Sequence, residues 1–240
     1  MSVASSQFLI VAGEASGDIH GSGLVQALKK INPDCEFSGL GGNCMRREGV
    51  KTFFDIDRMG AVGIVELLSD LPHYLKVYRK LVSEIKSGFY DAVILIDYPT
   101  LNLRLANVCH KYSCPALFFI SPQVWAWRKG RIKKIRRTVD KMFVIFPFEE
   151  SLFKEEGVNA EFVGHPFVET VKTSMTREQA MKEFSLGSNR KVIGLLPGSR
   201  NSEIHFLHVQ LFQLLPYSTF KLLESFAAFF GELFGELSYV

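Results

Sequence analysis

The run AVILID at residues 92–97 constrains the fold of this chain more than any other feature, because it is apolar at every position before its final aspartate. A strand with one face in water alternates apolar and polar side chains, whereas a continuously apolar strand is buried on both faces. Such strands are typical of parallel sheets that helices cover on both sides. Four further short apolar or aromatic runs resemble it: FLIVAG (8–13), ALFFIS (116–121), KMFVIF (141–146) and AEFVG (160–164).

Helical patterns fall between these runs, the first from about Asp18 to Lys30. Strands that alternate with helices predict an α/β fold, here a Rossmann-like domain with a parallel sheet over residues 1–165. In such sheets ligands bind at the carboxyl ends of the strands. The residues that follow each apolar run are therefore the first candidates for function.

The pattern changes after residue 165. Residues 166–190 are polar, and they predict an interdomain linker with a short helix that starts at Thr176-x-x-Gln179. The segment KVIGLLPGSR then predicts a new strand and loop, so residues 191–204 are expected to begin a second α/β domain. Residues 205–240 hold seven phenylalanines and four charged residues, which predicts a Phe-rich helical tail. It is either a natural appendage or, as we expect, a truncated or frameshifted end that leaves the second domain incomplete.

Composition excludes several classes of protein. The net charge is only +3, and seven of the 28 basic residues lie in VWAWRKGRIKKIRR (124–137), so the basic character is local and atypical of a protein that coats nucleic acid. No run is apolar for long enough to span a bilayer, and we expect no signal peptide. The cysteines have no metal or redox spacing, which predicts free, buried thiols in a reducing cytoplasm: Cys35, Cys44, Cys109 and Cys114.

Two glycine-rich segments follow strands. In GEASGDIHGSG (13–23) the glycines allow a close backbone approach to a ligand, and the next helix points its amides at the same space. Glu14 stands directly after the strand and is a candidate for ligand contact, whereas Ser16 and Asp18 are either ligand contacts or helix caps. The match to a dinucleotide-binding fingerprint is poor. GLGG (39–42) is a second loop, or simply a turn.

Asp97 closes the clearest strand, in ILIDYPTLN (94–102), and a carboxylate there lies at the ligand edge of the sheet. It is either a general base that takes a proton from an attacking hydroxyl or a cap for the helix that begins near Leu101. In LLPGSRNSEI (195–204), Ser199 and Arg200 follow a glycine turn, and such a loop can hold a diphosphate.

Two segments could contact a surface. An apolar helical stripe runs through residues 59–81, interrupted by Pro72, so two helices or a kinked one are predicted. It either packs on the sheet or faces lipid. SPQVWAWRKGRIKKIRR (121–137) predicts a basic helix after Trp125 and Trp127, which is a solvated face, a nucleic-acid contact or a contact with anionic lipid.

Seven motifs, in order over residues 7–204, resemble lipid-A-disaccharide synthases, the glycosyltransferases of family 19. They are VAGEASGD (11–18), MGAVGIVELL (59–68), IDYPTLN (96–102), SPQVWAWR (121–128), FPFE (146–149), FVGHP (162–166) and LLPGSRNSE (195–203). The resemblance implies a GT-B architecture of two Rossmann-like domains. It implies transfer of 2,3-diacylglucosamine from UDP-2,3-diacylglucosamine to 2,3-diacylglucosamine 1-phosphate (lipid X), with inversion and without a metal or cofactor.

The resemblance also assigns roles. Asp97 becomes the base on the acceptor 6-hydroxyl, and Arg200, with Ser199 beside it, stabilises the departing UDP. Trp125 shapes the wall of a cleft whose first loop contains Glu14, Ser16 and Asp18. An apolar group is expected to face the membrane: Ile64, Val65, Leu67, Leu68, Leu71 and Leu75.

The partners expected from the resemblance are the two lipid-linked sugars and an anionic membrane surface, with no nucleic acid. The expected location is cytoplasmic, at the inner face of the bacterial inner membrane. The cations Lys133, Lys134, Arg136 and Arg137 are predicted to attract that membrane or the acceptor phosphate.

The chain departs from the family after residue 204, where no later glycine-rich donor motif is found. Because the family holds the UDP-sugar mainly with its C-terminal domain, we expect this chain alone to be inactive or nearly so. Two alternatives stay open: another GT-B transferase that acts on a lipid-linked sugar, and a non-catalytic module that binds nucleotide or nucleic acid.

Overall fold

The computed structural model describes residues 6–56, 71–122 and 130–186 of the 240. The chain divides into two compact units, Met1–Val171 and Lys172–Val240. The limits of the predicted linker, second domain and tail stay predictions.

A seven-stranded parallel sheet forms the centre of the first unit, in the order β3-β2-β1-β4-β5-β6-β7. Its strands are β1 (Gln7–Ala12), β2 (Glu36–Leu40), β3 (Lys51–Phe54), β4 (Ala92–Ile96), β5 (Ala116–Phe119), β6 (Lys141–Val144) and β7 (Ala160–Phe162). All five strands expected from the apolar runs are present. The prediction did not place β3, a short edge strand whose pattern KTFF is half polar.

Helices alternate with the strands, as the sequence predicted. They are α1 (Ala15–Ile31), α2 (Asn43–Arg47), α3 (Leu71–Lys86), α4 (Pro99–Lys111), α5 (Gly130–Thr138), α6 (Pro147–Glu155), α7 (Phe167–Thr170) and, in the second unit, α8 (Arg177–Glu183). Helix α8 starts where expected, because the Thr176 hydroxyl accepts from the Gln179 amide and the Gln179 side chain accepts from the Thr176 amide.

Burial on both faces of the sheet explains its apolar strands. Leu9 and Val93 belong to one core cluster, while their neighbours Ile10 and Ile94 belong to the other. All five residues of β4 are buried. Alternate side chains of a strand point to opposite faces, so a strand covered on both faces has to be apolar throughout.

The cysteines are free, as the sequence predicted, and all but one of them are buried. The exception, Cys44, is partly buried. Burial raises the pKa of the Cys109 thiol to about 12, so this thiol stays protonated and unreactive at neutral pH.

Pro72 lies in α3, whose described part starts at Leu71. Residues 57–70 lie outside the described part of the chain, so the predicted interruption of the apolar stripe at Pro72 stays a prediction.

Candidate functional site

The order of the strands identifies one edge position as the natural ligand site. From β1 the chain continues to β2 and β3 on one side, and the later strands add on the other side, starting with β4. Strands β1 and β4 are direct neighbours, with Ala12 paired to Ile96 at their carboxyl ends. Ligands of doubly wound sheets bind in the crevice at this point of reversal. The first residues beyond these strands are Gly13 and Glu14 on one side, and Asp97 and Tyr98 on the other.

The turn from β4 to α4 has an unusual backbone. Asp97 and Tyr98 both have left-handed φ values, 45° and 40°. Two consecutive residues of this kind are uncommon without glycine, and such strain concentrates at functional sites. The Asp97 amide still donates to the Phe119 carbonyl of β5, at 3.0 Å, so the turn begins in register with the sheet.

Asn102, in the first turns of α4, anchors this turn. Its side-chain nitrogen donates to the carbonyl of Ile96, at 3.0 Å, and to that of Asp97, at 2.8 Å. The side chain is fully buried. The bonds from Asn102 back to the strand depend on the left-handed turn, so the local sequence pattern does not predict them.

The Tyr98 ring packs over the end of β1. A Cβ on Gly13 would lie 2.2 Å from the ring atom Cδ1, so only glycine fits at this position. Burial, Tyr74 and the charge of Glu14 raise the pKa of the Tyr98 phenol. Gly13 therefore does more than permit a turn, because it lets the two strand ends approach each other.

Electrostatics single out Asp97 within the crevice. Burial raises the pKa of its carboxyl group, and the Glu14 carboxylate raises it further, while a hydrogen bond from the Tyr98 backbone lowers it. A carboxylate with a raised pKa is a stronger base, and such shifts are common at catalytic positions. The structure thus brings together Glu14 and Asp97, which are 83 positions apart in the sequence.

Asp18 has a structural role that the sequence did not reveal. It is only 4% exposed, and its carboxylate accepts from the backbone amides of Gly42, Cys44 and Met45, at 2.7, 2.8 and 3.1 Å. It therefore caps α2 rather than its own helix, and it joins the two glycine-rich loops. Ser16 is exposed in the first turn of α1. That Ser16 and Asp18 contact substrate stays a prediction.

The next strand end is also strained. Ile120, which follows β5, has a φ of 68°, an outlier for a β-branched residue. Its neighbour Ser121 donates from its hydroxyl to Oε1 of Glu149 at 2.9 Å. Glu149 is 1% exposed and accepts the Phe146 amide on its other oxygen, at 3.3 Å. The SPQVWAWR motif is therefore tied at its first residue to the FPFE motif.

The surface helices meet the expectations only in part. Leu71 and Leu75 on α3 are exposed, at 46% and 38%. Lys80, on the same helix, pairs with Glu84 at 2.5 Å. Helix α5 buries Ile132, Ile135 and Thr138, and it turns its cations away from the core. This amphipathic arrangement is the expected basic helix.

Several candidate residues lie outside the described part of the chain: Ile64, Val65, Leu67, Leu68, Trp125, Ser199 and Arg200. Their roles stay predictions. Within the described residues, none of the helices is long and apolar enough to cross a membrane. In the same ranges, no group of three or more histidine, cysteine, aspartate or glutamate side chains is arranged to hold a metal ion.

Comparison with known proteins gives a consistent result. The family model described as lipid-A-disaccharide synthetase matches residues 8–228, a range that runs past residue 204. The lipid-A-disaccharide synthase of Geobacter sulfurreducens is 44% identical over 222 residues, which cover 92% of this chain and 57% of that protein. The synthase of Trichlorobacter lovleyi is 47% identical over 196 residues, covering 82% of this chain and 51% of that protein. The chain thus spans about half the length of these curated relatives.

A solved structure shares the fold at low sequence identity. The UDP-GlcNAc 2-epimerase of Neisseria meningitidis, solved with UDP-GlcNAc bound, superposes with a TM-score of 0.50 at 12% identity. The match covers 76% of this chain and 54% of the epimerase. The predicted α/β fold of GT-B type is confirmed for the sheet described above.

Proposed function

This chain belongs to the lipid-A-disaccharide synthetase family, and from that premise we propose that it supplies the acceptor half of a transferase of lipid A biosynthesis. The proposed reaction moves 2,3-diacylglucosamine from UDP-2,3-diacylglucosamine to lipid X. The products are the β-1,6-linked disaccharide 1-phosphate and UDP. The observation that carries the proposal is the crevice between β1 and β4, where Asp97 is held beside Glu14 and has a raised pKa.

In the proposed step, the 6-hydroxyl oxygen of the acceptor attacks the anomeric carbon of the donor sugar. The bond from that carbon to the UDP oxygen breaks on the opposite face, so the configuration inverts. The Asp97 carboxylate takes the hydroxyl proton, and UDP leaves with the bonding electron pair. A raised pKa suits this task, since a more basic carboxylate accepts the proton more readily.

The neighbouring residues have supporting roles in this proposal. Glu14 keeps the crevice negative, which favours proton uptake by Asp97. Ser16, in the first turn of α1, contacts substrate, and Trp125 shapes the cleft wall. Asp18 fixes the two glycine-rich loops to each other. Arg200 and Ser199 hold the diphosphate of the donor and stabilise the charge of departing UDP.

We further propose that the unit lies on the inner face of the bacterial inner membrane, where acyl chains of both substrates reside. Leu71 and Leu75 are exposed on α3, as a lipid-facing surface requires. The apolar residues Ile64, Val65, Leu67 and Leu68 would extend this surface. The outward cations of α5 would add attraction to anionic lipid, about 1 kcal/mol for each basic residue near the surface.

The test is a transfer assay that follows UDP release from UDP-2,3-diacylglucosamine in the presence of lipid X. In a full-length relative, asparagine in place of the aspartate that aligns with Asp97 should lower kcat by roughly 10²- to 10⁴-fold, the usual contribution of a general base. The matched control replaces the residue that aligns with Asp34, an exposed aspartate before β2 at the opposite edge of the sheet. Equal rates in the two variants would overturn the proposed role of Asp97.

A second assay concerns the membrane. Vesicles that contain phosphatidylglycerol should bind the chain, and glutamine at Lys133, Lys134, Arg136 and Arg137 should weaken this binding several-fold. Unchanged binding to the vesicles would show that the basic helix α5 is a solvent-exposed surface that does not contact the membrane.

A further inference from the structure

We infer that Asn102 is a positioning residue for the transfer reaction, because its side-chain amide holds the left-handed turn that places the Asp97 carboxylate in the crevice. This inference rests on the proposed function of Asp97 as the base. It adds a residue that touches no substrate and acts through the backbone of another.

The contacts of Asn102 are specific to this task. Its single NH₂ group donates to the carbonyls of two consecutive residues, Ile96 at 3.0 Å and Asp97 at 2.8 Å. Both neighbours of the nitrogen are acceptors, so the orientation of the amide follows from the contacts themselves. The Asn102 backbone amide also donates to the Tyr98 carbonyl, at 3.1 Å. One residue thus binds the last strand residue and both left-handed residues.

The surroundings of Asn102 make an asparagine costly there. It is fully buried in a helix between the buried Leu101 and Leu103, and asparagine is a poor helix former. Its Oδ1 atom is buried and has no hydrogen-bond partner among the described residues. An unpaired buried acceptor destabilises the fold, so the donors of the same amide must compensate.

The turn needs such an anchor. Left-handed φ values at Asp97 and Tyr98 persist only where surrounding contacts determine them. Tyr98 packs against Gly13 on one side, and Asn102 binds the carbonyls on the other. Because the φ of Asp97 sets the direction of its side chain, the amide of Asn102 also fixes where the carboxylate lies.

The experiment is a ¹³C NMR titration of the Asp97 carboxyl carbon in the chain itself, without substrate. Glu14, which faces Asp97 from the β1–α1 turn, is followed in the same spectra. In Asn102→Ala the turn should relax and Asp97 should become more solvated, so the midpoint of the Asp97 titration should fall toward the ordinary aspartate value. Asn102→Ser keeps one hydroxyl donor and should show a smaller fall. It also replaces the alanine variant if that variant fails to fold.

The matched control is Asn107→Ala, on the exposed side of the same helix, which should leave the midpoint unchanged. Unfolding free energies of all variants are measured in parallel. A variant that loses stability while Asp97 titrates as in the parent chain would overturn the inference, because Asn102 would then serve the fold alone.

The two proposals fail in different ways. The Asp97 midpoint could change in Asn102→Ala while a relative that lacks the aligned aspartate keeps full transfer activity. That result would overturn the role of Asp97 as the base and support the role of Asn102 in holding the turn. If the Asp97 midpoint does not change in Asn102→Ala and the relative without the aligned aspartate loses transfer activity, the base is supported and the role of Asn102 is overturned. In a full-length relative, serine at the aligned asparagine should lower kcat roughly tenfold and leave KM nearly unchanged, the pattern of a misplaced base.

Discussion

Two strand-to-helix turns of the sheet have the same plan and opposite character. The β4–α4 turn runs Asp97, Tyr98, Pro99, and the β6–α6 turn runs Ile145, Phe146, Pro147. In both, a proline opens the helix. Yet Tyr98 has a left-handed φ of 40°, whereas Phe146 has an extended φ of −117°.

The carboxyl groups of the two turns differ in the same way. Glu149 of α6 is buried with hydrogen bonds on both oxygens, from the Ser121 hydroxyl and the Phe146 amide. Asp97 lies in the crevice, where burial and then the Glu14 charge raise its pKa. The Glu149 carboxylate stabilises its turn, whereas the charged Asp97 carboxylate destabilises the fold. Asp97 lies where the strand order reverses, and ligands of doubly wound sheets bind at this position.

Removal of Glu149 should give the largest loss of stability. Glu149→Ala leaves the Ser121 hydroxyl and the Phe146 amide without their acceptor in a buried place, which costs about 2 to 3 kcal/mol. Chemical denaturation followed by circular dichroism measures this loss. Glu150→Ala, which removes a surface pair with Lys154, should have a far smaller effect. Equal losses would show that the buried hydrogen bonds of Glu149 do not stabilise the β6–α6 turn.

The second largest loss of stability is expected from a methyl group added between the ends of β1 and β4. Gly13→Ala drives a Cβ into the Tyr98 ring and should destabilise the chain by about 1 to 3 kcal/mol. Gly23→Ala, on α1 with open space around its Cβ position, should instead be neutral or stabilising by up to about 1 kcal/mol. The same denaturation assay compares them. A tolerated Gly13→Ala would mean that the turn is not held by this packing.

Neutralisation of Asp97 should change the free energy of unfolding least, and it should raise stability where the other two substitutions lower it. A carboxyl group whose pKa is raised on folding binds protons more tightly when folded, so stability falls as pH rises from about 4 through the raised pKa. Asp97→Asn should therefore stabilise the chain at pH 7 and make no difference near pH 3. Denaturation at both pH values, with Asp34→Asn as control, measures this. A loss of stability at pH 7 would mean that Asp97 supports the fold as Glu149 does.

The sequence predicted the parts of this comparison that depend on local pattern. Apolar runs predicted five of the seven strands, β1 and β4 to β7, and the rule for parallel sheets directed attention to Glu14 and Asp97. The two residues were singled out separately, and only the strand order brings them together. Edge strand β3 was not predicted, because its first two residues, Lys51 and Thr52, are polar and the short strand lacks a continuous apolar run.

The sequence could not predict contacts that depend on distant partners. The three amides that Asp18 accepts lie 24 to 27 residues away, and Ser121 is 28 residues from Glu149. A polar residue at a buried helical position, such as Asn102 between two leucines, was the available signal for an internal hydrogen bond. The contact between Tyr98 and Gly13 had no such signal.

Binding of the acceptor in the crevice between β1 and β4 can be observed in ¹H–¹⁵N spectra of the chain titrated with a short-chain, water-soluble analogue of lipid X. We expect the largest shifts on the amides of residues 13–18 and 97–102. Shifts centred on the β6–α6 turn at 146–149, or none at any concentration up to solubility, would contradict this expectation.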